Sequence, residues 1–406
     1  MLKKIKNIIK NEDVFESNYK PHQILFRKEV IEELTNNTYN LLYTYGWGDN
    51  VFVYGEKGTG KTLTVKYLSK ELEKENEDIK KRLGAGVKIV YINCNGVRTK
   101  YQIVKEILKK LKNQDNLKRG LPTCDYLDLL KKHLREHPVN LLIILDEAHA
   151  ISKNDRDSLF YSLSRLKEQD EIGDAKITII TITNEIFFQN TLSAPTLSSY
   201  RGYSLVFSPY NAKQLEEILL QRAEEGLIKG SYDSNAIKKI AYEVAEKYKG
   251  DARRAILILK KSAQFVENKL SKEEVGKAIM SIERNEMNKY VLNMNDTKLI
   301  LLKIVNGLMK GGRTPFFDVI YSYYQSVMAY RNEEAQSERN IYRILDKIEE
   351  TELIIKKYSS KKKKYFYFIE QGGEFLEKMI NMEMERRGIY IMDYEENSLS
   401  NWNEVD

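Results

Sequence analysis

Residues 55–62 read GEKGTGKT, directly after the apolar run VFVY and directly before a stretch of helical spacing. Glycines at 55, 58 and 60 (Gly55, Gly58, Gly60) let backbone amides curl around phosphate oxygens, and the following helix turns the positive end of its dipole to the same point. In that setting Lys61 reaches the β- and γ-phosphates of a nucleoside triphosphate, the Thr62 hydroxyl ligates Mg²⁺, and Thr59 and Leu63 complete the cradle. A glycine turn without a ligand is the alternative. Strand, loop and helix in register count against it.

A second group, LLIILDEAHA at 141–150, ends five apolar residues with two acids. The end of a buried strand is where open α/β sheets place their sites, so Asp146 would hold the Mg²⁺ water shell and Glu147 would orient and polarise an attacking water. Taken alone, such a pair is equally a helix cap. The letters DEAH also fit a helicase, but that needs a second ATPase lobe, and no second set of alternating strands follows residue 208. His149 is then an ordinary helix residue. The run KITIITIT leads to Asn184, placed either to hold the water or γ-phosphate or simply to end a strand. GDARRA at 250–255 puts Arg253 and Arg254 at a helix start, within reach of a γ-phosphate. His133 and His137 have a spacing suited to one metal, but Leu134 stands where a zinc protease has Glu and Pro138 follows. No metal beyond Mg²⁺ is expected.

These groups need elements to hold them. Short apolar runs at 51–54, 87–92, 141–145, 176–183 and 204–207 alternate with amphipathic stretches, the pattern of an α/β layer with a mostly parallel sheet. From Pro209 to about Glu286 the segments 211–226, 233–249, 251–269 and 271–283 each open on Asn, Asp or Ser, which predicts a small all-helical domain. A polar stretch at 284–295 is expected to link it to a third unit. That unit has helices near 296–310, 315–331 and 337–351 and ends in a β-hairpin within IIKKYSSKKKKYFYFIE. The predicted divisions are 1–208, 209–286, 297–392 and an acidic tail at 393–406, consistent with 406 residues in all.

Composition narrows the class. With 42% apolar residues, wholesale disorder is excluded. Cys94 and Cys124 match neither a disulfide framework nor a metal pair, which favours a reducing compartment. The longest apolar run, 141–145, falls far short of the ~20 residues that cross a bilayer, so a soluble cytoplasmic chain without a membrane partner is expected. MLKKIKNIIK has no continuous apolar region and is taken as an amphipathic arm docked on the protein. The 66 basic and 59 acidic residues leave a net charge of +7. Locally, 297–365 holds 14 basic and 8 acidic residues, net +6, whereas 366–406 holds 3 and 10, net −7; residues 1–296 carry the remaining +8.

The P-loop, the DEAH acids, the strand-end Asn and GDAR in a following helical domain together resemble the AAA+ ATPases. From about residue 12 to 370 the chain is more closely similar to the archaeal replication-origin initiators related to the origin recognition complex and cell-division-control loaders. YKPHQILFRKEVIEEL at 19–34 resembles their adenine-side segment, with Pro21, Arg27 and Glu29 in matching places and Phe26 where His is usual. LSSYRGYSLVFSPYNAKQLEEIL at 197–219 looks like their passage into the lid. The resemblance implies an AAA+ P-loop core, an all-α lid and a C-terminal winged helix, with ATP or ADP and Mg²⁺ as cofactors. It implies sensor roles for Asn184 and Arg253, a trans-acting role for Arg201, and nucleotide-side roles for Pro21, Arg27, Tyr210 and Arg222. TKYQIVKEILKKLKNQDNLKRG at 99–120 takes the place of the family's DNA-touching insertion, with Lys112 and Arg119 as its candidates; a solvated helix face is the alternative.

FFDVIYSYYQSV, SERNIYRILDKIEETELI and the Lys-rich hairpin resemble the winged helix. The residues agree: Ile341, Ile344, Leu345 and Ile348 form an apolar stripe, while Arg339, Arg343 and Lys347 recur every four residues on another face. Such a face can lie in a major groove, with Lys361, Lys362, Lys363 and Lys364 of the hairpin against adjacent phosphates. The expectation is a nucleoid-associated initiator of DNA replication that binds double-stranded origin DNA and uses ATP binding and slow hydrolysis as a switch. Paralogous initiators and the replicative helicase are its implied partners. The alternative is an AAA+ regulator or transposition partner whose winged helix contacts protein.

Overall fold

Each apolar run expected as a strand in the first half of the chain pairs into one parallel sheet. In the computed structural model, which describes residues 8–16, 18–113, 122–166, 170–369 and 373–391, β1 (Val51–Gly55), β2 (Val87–Asn93), β3 (Asn140–Asp146), β4 (Lys176–Ile182) and β5 (Tyr203–Phe207) stand in the order β2-β3-β4-β1-β5. All seven residues of β3 are buried. That is why its sequence is a continuous apolar run: helices cover both faces. Alternate residues go to opposite layers, Leu141, Ile143 and Leu145 to one core and Leu142 and Ile144 to the other.

Helices α1 (Lys28–Leu34) and α2 (Asn40–Tyr45) precede β1, α3 (Lys61–Lys74) and α4 (Asn76–Leu83) follow it, and α5 (Lys100–Lys112) and α6 (Thr123–Glu136) join β2 to β3. Then come α7 (Lys153–Arg165) and α8 (Ala194–Tyr200). Val65, Leu68 and Leu72 of α3 fill one layer. Ile103, Ile107, Leu130, Leu134, Phe160 and Leu163, from α5, α6 and α7, fill the other. Each such buried side chain contributes about 1.5–3 kcal/mol. Because the strands run parallel, Gly55, Asn93, Asp146 and Phe207 all end on one edge of the sheet, and the candidate chemistry collects there.

After β5 the chain is helical: α9 (Ala212–Gly226), α10 (Ser234–Lys247), α11 (Ala252–Gln264) and α12 (Lys272–Leu292). Asn211, Asp233, Asp251 and Ser271 accept backbone N–H bonds at their N-termini as expected, each cap contributing about 1 kcal/mol. The arm is docked too: the backbone N–H groups of Lys10 and Asn11 donate to the Gly226 carbonyl at 2.9 and 3.1 Å, and Ile8 is buried. Residues 1–7 lie outside the described residues.

The stretch at 284–295 differs from the expected linker. It continues α12 to Leu292, and the break falls just before Asn295, which caps α13 (Asp296–Lys310). Nothing in RNEMNKYVL breaks a helix, and Met287 and Val291, four apart, pack into the core of the unit that follows. The chain accordingly divides into two compact units, Met1–Gly276 and Lys277–Asp406.

The second unit adds α14 (Phe317–Tyr330), α15 (Glu338–Glu349), the antiparallel pair β6 (Ile355–Ser359) and β7 (Lys364–Phe368), and α16 (Gly373–Arg386). Ile341, Leu345 and Ile348 of α15 are buried against α13 and α14 residues, with Ile344 partly so. The closing helix α16 buries Leu376, Ile380 and Met384 at four-residue spacing.

Candidate functional site

The phosphate loop is built around its own lysine. Lys61 Nζ donates to the carbonyls of Gly55 and Glu56 at 2.7 and 2.8 Å. Burial first, and the nearby Arg253 second, pull the ammonium pKa down to about 8, against the opposing pull of Asp146, Glu56 and Asp251. Gly60, at φ +88°, starts α3 in a left-handed conformation. Gly58, at φ +73°, lies so close under the lid that a side chain there would overlap the Asp251 carboxylate.

Thr62 Oγ1 donates to Asp146 Oδ2 at 2.9 Å, joining the two residues singled out for Mg²⁺. Asp146 is buried and also accepts from the Tyr91 hydroxyl at 2.6 Å and from the Glu147 N–H. Burial, then the bond to Asp146, push the Tyr91 phenol above its ordinary range, so it stays a donor. A hydroxyl and a carboxylate meeting at the strand ends form an oxygen donor set, which fits a magnesium ion that keeps most of its water. Glu147 has left-handed backbone angles, φ 54° and ψ 42°, and its carboxylate accepts from Asn95 Nδ2. Cys94, buried beside these acids, is pushed up to about 12 and stays a thiol.

Asn184 follows β4 immediately after Thr183, whose N–H bonds to the Val53 carbonyl at 2.9 Å. It lines a cleft of about 380 Å³ with Tyr54, Gly55, Glu56 and the β5 exit at Phe207, Ser208 and Pro209. Arg253 is exposed at the start of α11, and its charge is felt at Lys61. Arg254 instead stacks on Tyr248, 3.7 Å from ring centroid to guanidinium. Pro21 and Leu63 share a second cleft, of about 170 Å³, with Lys20, Ile24, Tyr67 and Lys70.

Three residues expected on the nucleotide side contact protein and line neither cleft. Arg27 is buried, donates to the carbonyls of Thr59 and Ser208 at 3.0 and 2.8 Å, and lies 3.9 Å over the Tyr210 ring. Tyr210 in turn brings its hydroxyl toward Gly60. Arg222 donates to the Val14 carbonyl and packs over Tyr19. Arg201 is exposed at the C-terminus of α8 with φ 47°.

On α15, Arg339, Arg343 and Lys347 are exposed on one face, Arg343 also donating to Asn340 at 2.6 Å. Lys361, Lys362 and Lys363 are exposed in the hairpin turn, whereas Lys364 turns back to an ion pair with Asp318 at 2.7 Å. Lys112 sits at the C-terminal end of α5. Arg119 lies outside the described residues.

Residues 48–186 match the AAA domain family and residues 216–279 the Cdc6 AAA+ ATPase-type lid domain. The ORC1-type DNA replication protein of Pyrococcus horikoshii is 31% identical over 371 residues, 89% of this chain and 86% of its own length. That of Thermococcus kodakarensis is 30% identical over 367 residues, 88% and 86% of the two chains. This chain belongs to the ORC1-type DNA replication proteins. The fold agrees: the Aeropyrum pernix ORC1 protein, solved in complex with DNA, superposes with a TM-score of 0.77 at 23% identity, covering 94% of this chain and 99% of that one. Cdc6p from Pyrobaculum aerophilum gives 0.57 at 25% identity over 94% and 99%.

As an ORC1-type chain it has an AAA+ core and an all-helical lid, and beyond Phe207 the only strands among the described residues are β6 and β7. The second lobe that a DEAH helicase needs is not among them. Sequence reading missed Tyr91, Asn95 and Asp251 as site residues. The pairing of Asn93 with Asp146 is what brings Tyr91 and Asn95 to the acids, and only strand register could have signalled it.

Proposed function

We propose that this chain recognises a replication origin and initiates replication there, binding duplex DNA and using ATP as a switch. The observation that carries the nucleotide half is the bond between Thr62 and Asp146, with Glu147 next in the chain, Lys61 on the Gly55 and Glu56 carbonyls, Asn184 in the cleft beside them and the charge of Arg253 felt at Lys61. Lys61 would exchange the Gly55 and Glu56 carbonyls for phosphate oxygens. Thr62 and Asp146 would hold Mg²⁺, which when bound supplies charge neutralisation at the phosphates. Glu147, one of whose oxygens accepts from Asn95, would orient a water with the other, and slow turnover, which the family resemblance implies, would keep the bound state long-lived. Arg253, carried by the lid, would report the γ-phosphate, and Arg201 would serve a neighbouring subunit's nucleotide. Pro21 and Leu63 would flank the base.

The relatives' description as DNA replication proteins, and the DNA held by the Aeropyrum ORC1 protein, support the DNA half. The second unit would act as a winged helix, with α15 in the major groove, Lys361–Lys363 at adjacent phosphates, and α5 with Lys112 as a further contact. Paralogous initiators and the replicative helicase would be its partners, on the nucleoid. The test is duplex affinity of the full chain over a salt series. Changing Arg339, Arg343 and Lys347 together to Ala should weaken binding and lower the slope of log affinity against log salt by about 1 per lost phosphate contact. An unchanged affinity and slope would remove α15 from the interface.

A further inference from the structure

A buried arginine in α7 touches both loops that carry the reacting groups. Arg156 is only 3% exposed. Its Nη2 donates to the carbonyls of His149 and Ile151 at 2.7 and 3.3 Å, which close the turn just after Glu147. Its Nη1 donates to Thr191 Oγ1 at 3.1 Å and lies 3.7 Å from the Glu185 carboxylate, while the guanidinium packs over Phe188 at 4.8 Å. Glu185, Phe188 and Thr191 belong to the loop just after Asn184. One guanidinium therefore spans the turn bearing the water-polarising acid and the loop bearing the γ-phosphate sensor.

Stability is a poor account of this residue. A buried cation is costly unless closely paired, and here the one carboxylate partner among the described residues is half-exposed and 3.7 Å away. Nε is buried without a protein partner. The residue also lies in the first turn of α7, where the helix dipole disfavours positive charge. What the planar fork provides, and an apolar side chain would not, is fixed geometry between two loops.

We propose that Arg156 is a positioning residue for ATP hydrolysis, setting Glu147 and Asn184 relative to one another; this rests on the ATPase reading above. It touches neither the phosphate loop nor the base cleft, so nucleotide should still bind when it is changed. The experiment compares full-length wild type with Arg156→Met, Arg156→Lys and Glu185→Gln, measuring ATP dissociation constant, kcat, KM and melting. Arg156→Met should keep ATP affinity and KM within about twofold while kcat falls on the order of 10- to 100-fold. Arg156→Lys keeps the charge but not the fork, and should stay nearer the Met variant than wild type. Glu185→Gln, in an exposed loop that tolerates change, should lower kcat by about threefold with unaltered melting. Full rescue by Lys, an unchanged kcat in the Met variant, or loss of ATP affinity in step with melting would each overturn the proposal. Lys61→Ala and Glu147→Gln separate the two levels. If they leave turnover intact, the ATPase reading falls and takes this inference with it; if they abolish it and Arg156→Met does not, only this inference falls.

Discussion

Lys61 is a cation placed where burial and a second cation both work against its charge, and that sets a pH dependence. Its ordinary pKa of 10.5 falls to about 8 in the folded chain. Between those values the folded chain binds fewer protons than the unfolded one, so this group's contribution to stability rises with pH across that window. A bound triphosphate reverses the effect by favouring the ammonium. Nucleotide binding near pH 8.5 should therefore take up protons, and affinity should fall as pH climbs above about 8. Titration calorimetry in two buffers of different ionisation enthalpy reads this directly; equal heats in both would show that Lys61 is already charged. Gly58 makes a steric prediction on the same loop. Ala at φ +73° costs about 1 kcal/mol, and its methyl would displace Asp251, the cap of α11, for about another 1 kcal/mol. Gly58→Ala should lower the melting temperature and weaken nucleotide binding together; a lowered melting temperature with intact binding would show that the lid settles elsewhere without harm. The loop and the two acids were legible because their residues are contiguous. Tyr91, Asn95 and Asp251 were not, since strand pairing and lid packing bring them to their partners from 52 or more positions away.

At the scale of elements, short apolar runs located all five core strands, and helical stretches opening on Asn, Asp or Ser located the four capped helices, because each buries surface that its sequence must supply. Boundaries set by tertiary packing were less legible. Met287 and Val291 draw α12 through a stretch whose polarity suggests a linker, and α16 hides its stripe among acidic residues. Those acids have a job that only the structure shows. Glu383, buried on α16, accepts from Arg386 at 2.5 and 2.8 Å and from Arg387 at 2.6 Å. Arg387 also donates to the Leu292 and Met294 carbonyls and to Asp296, tying the α12–α13 break to the closing helix. The bond to Arg386, with Arg387 adding to it, holds the Glu383 carboxyl at about 2, below its ordinary 4.5. A depressed carboxyl pKa stabilises the fold above 4.5, and that stability is lost as pH falls toward 2. Urea unfolding of the second unit between pH 5 and 2.5 should show this slope, and Glu383→Gln should flatten it while lowering stability at pH 7. An unchanged slope in the variant would place the acid sensitivity in other carboxylates.

For the whole molecule, the net charge of +7 is a poor guide to its field, because opposite charges are segregated along the chain. The stretch 297–365, with the exposed stripe of α15 and the hairpin lysines, carries net +6, while 393–406 carries five acids and no base. A polyanion approaching the chain meets both, and long-range attraction counts the sum while close contact counts only the local surface. Removing 393–406 raises the net charge from +7 to +12 without touching any described residue. If the tail weakens the field that draws in DNA, the truncated chain should bind random duplex several-fold more tightly at about 50 mM salt. The gain should shrink to nothing near 0.5 M, where the screening length drops to about 4 Å. Specific contacts respond differently, because each phosphate neutralised by a lysine or arginine contributes to the salt slope whether or not the tail is present. The truncation should thus shift the low-salt end of the curve and leave in place the slope contribution proposed for α15. Equal affinities at low salt would mean that the tail's charge is spent elsewhere and does not oppose DNA.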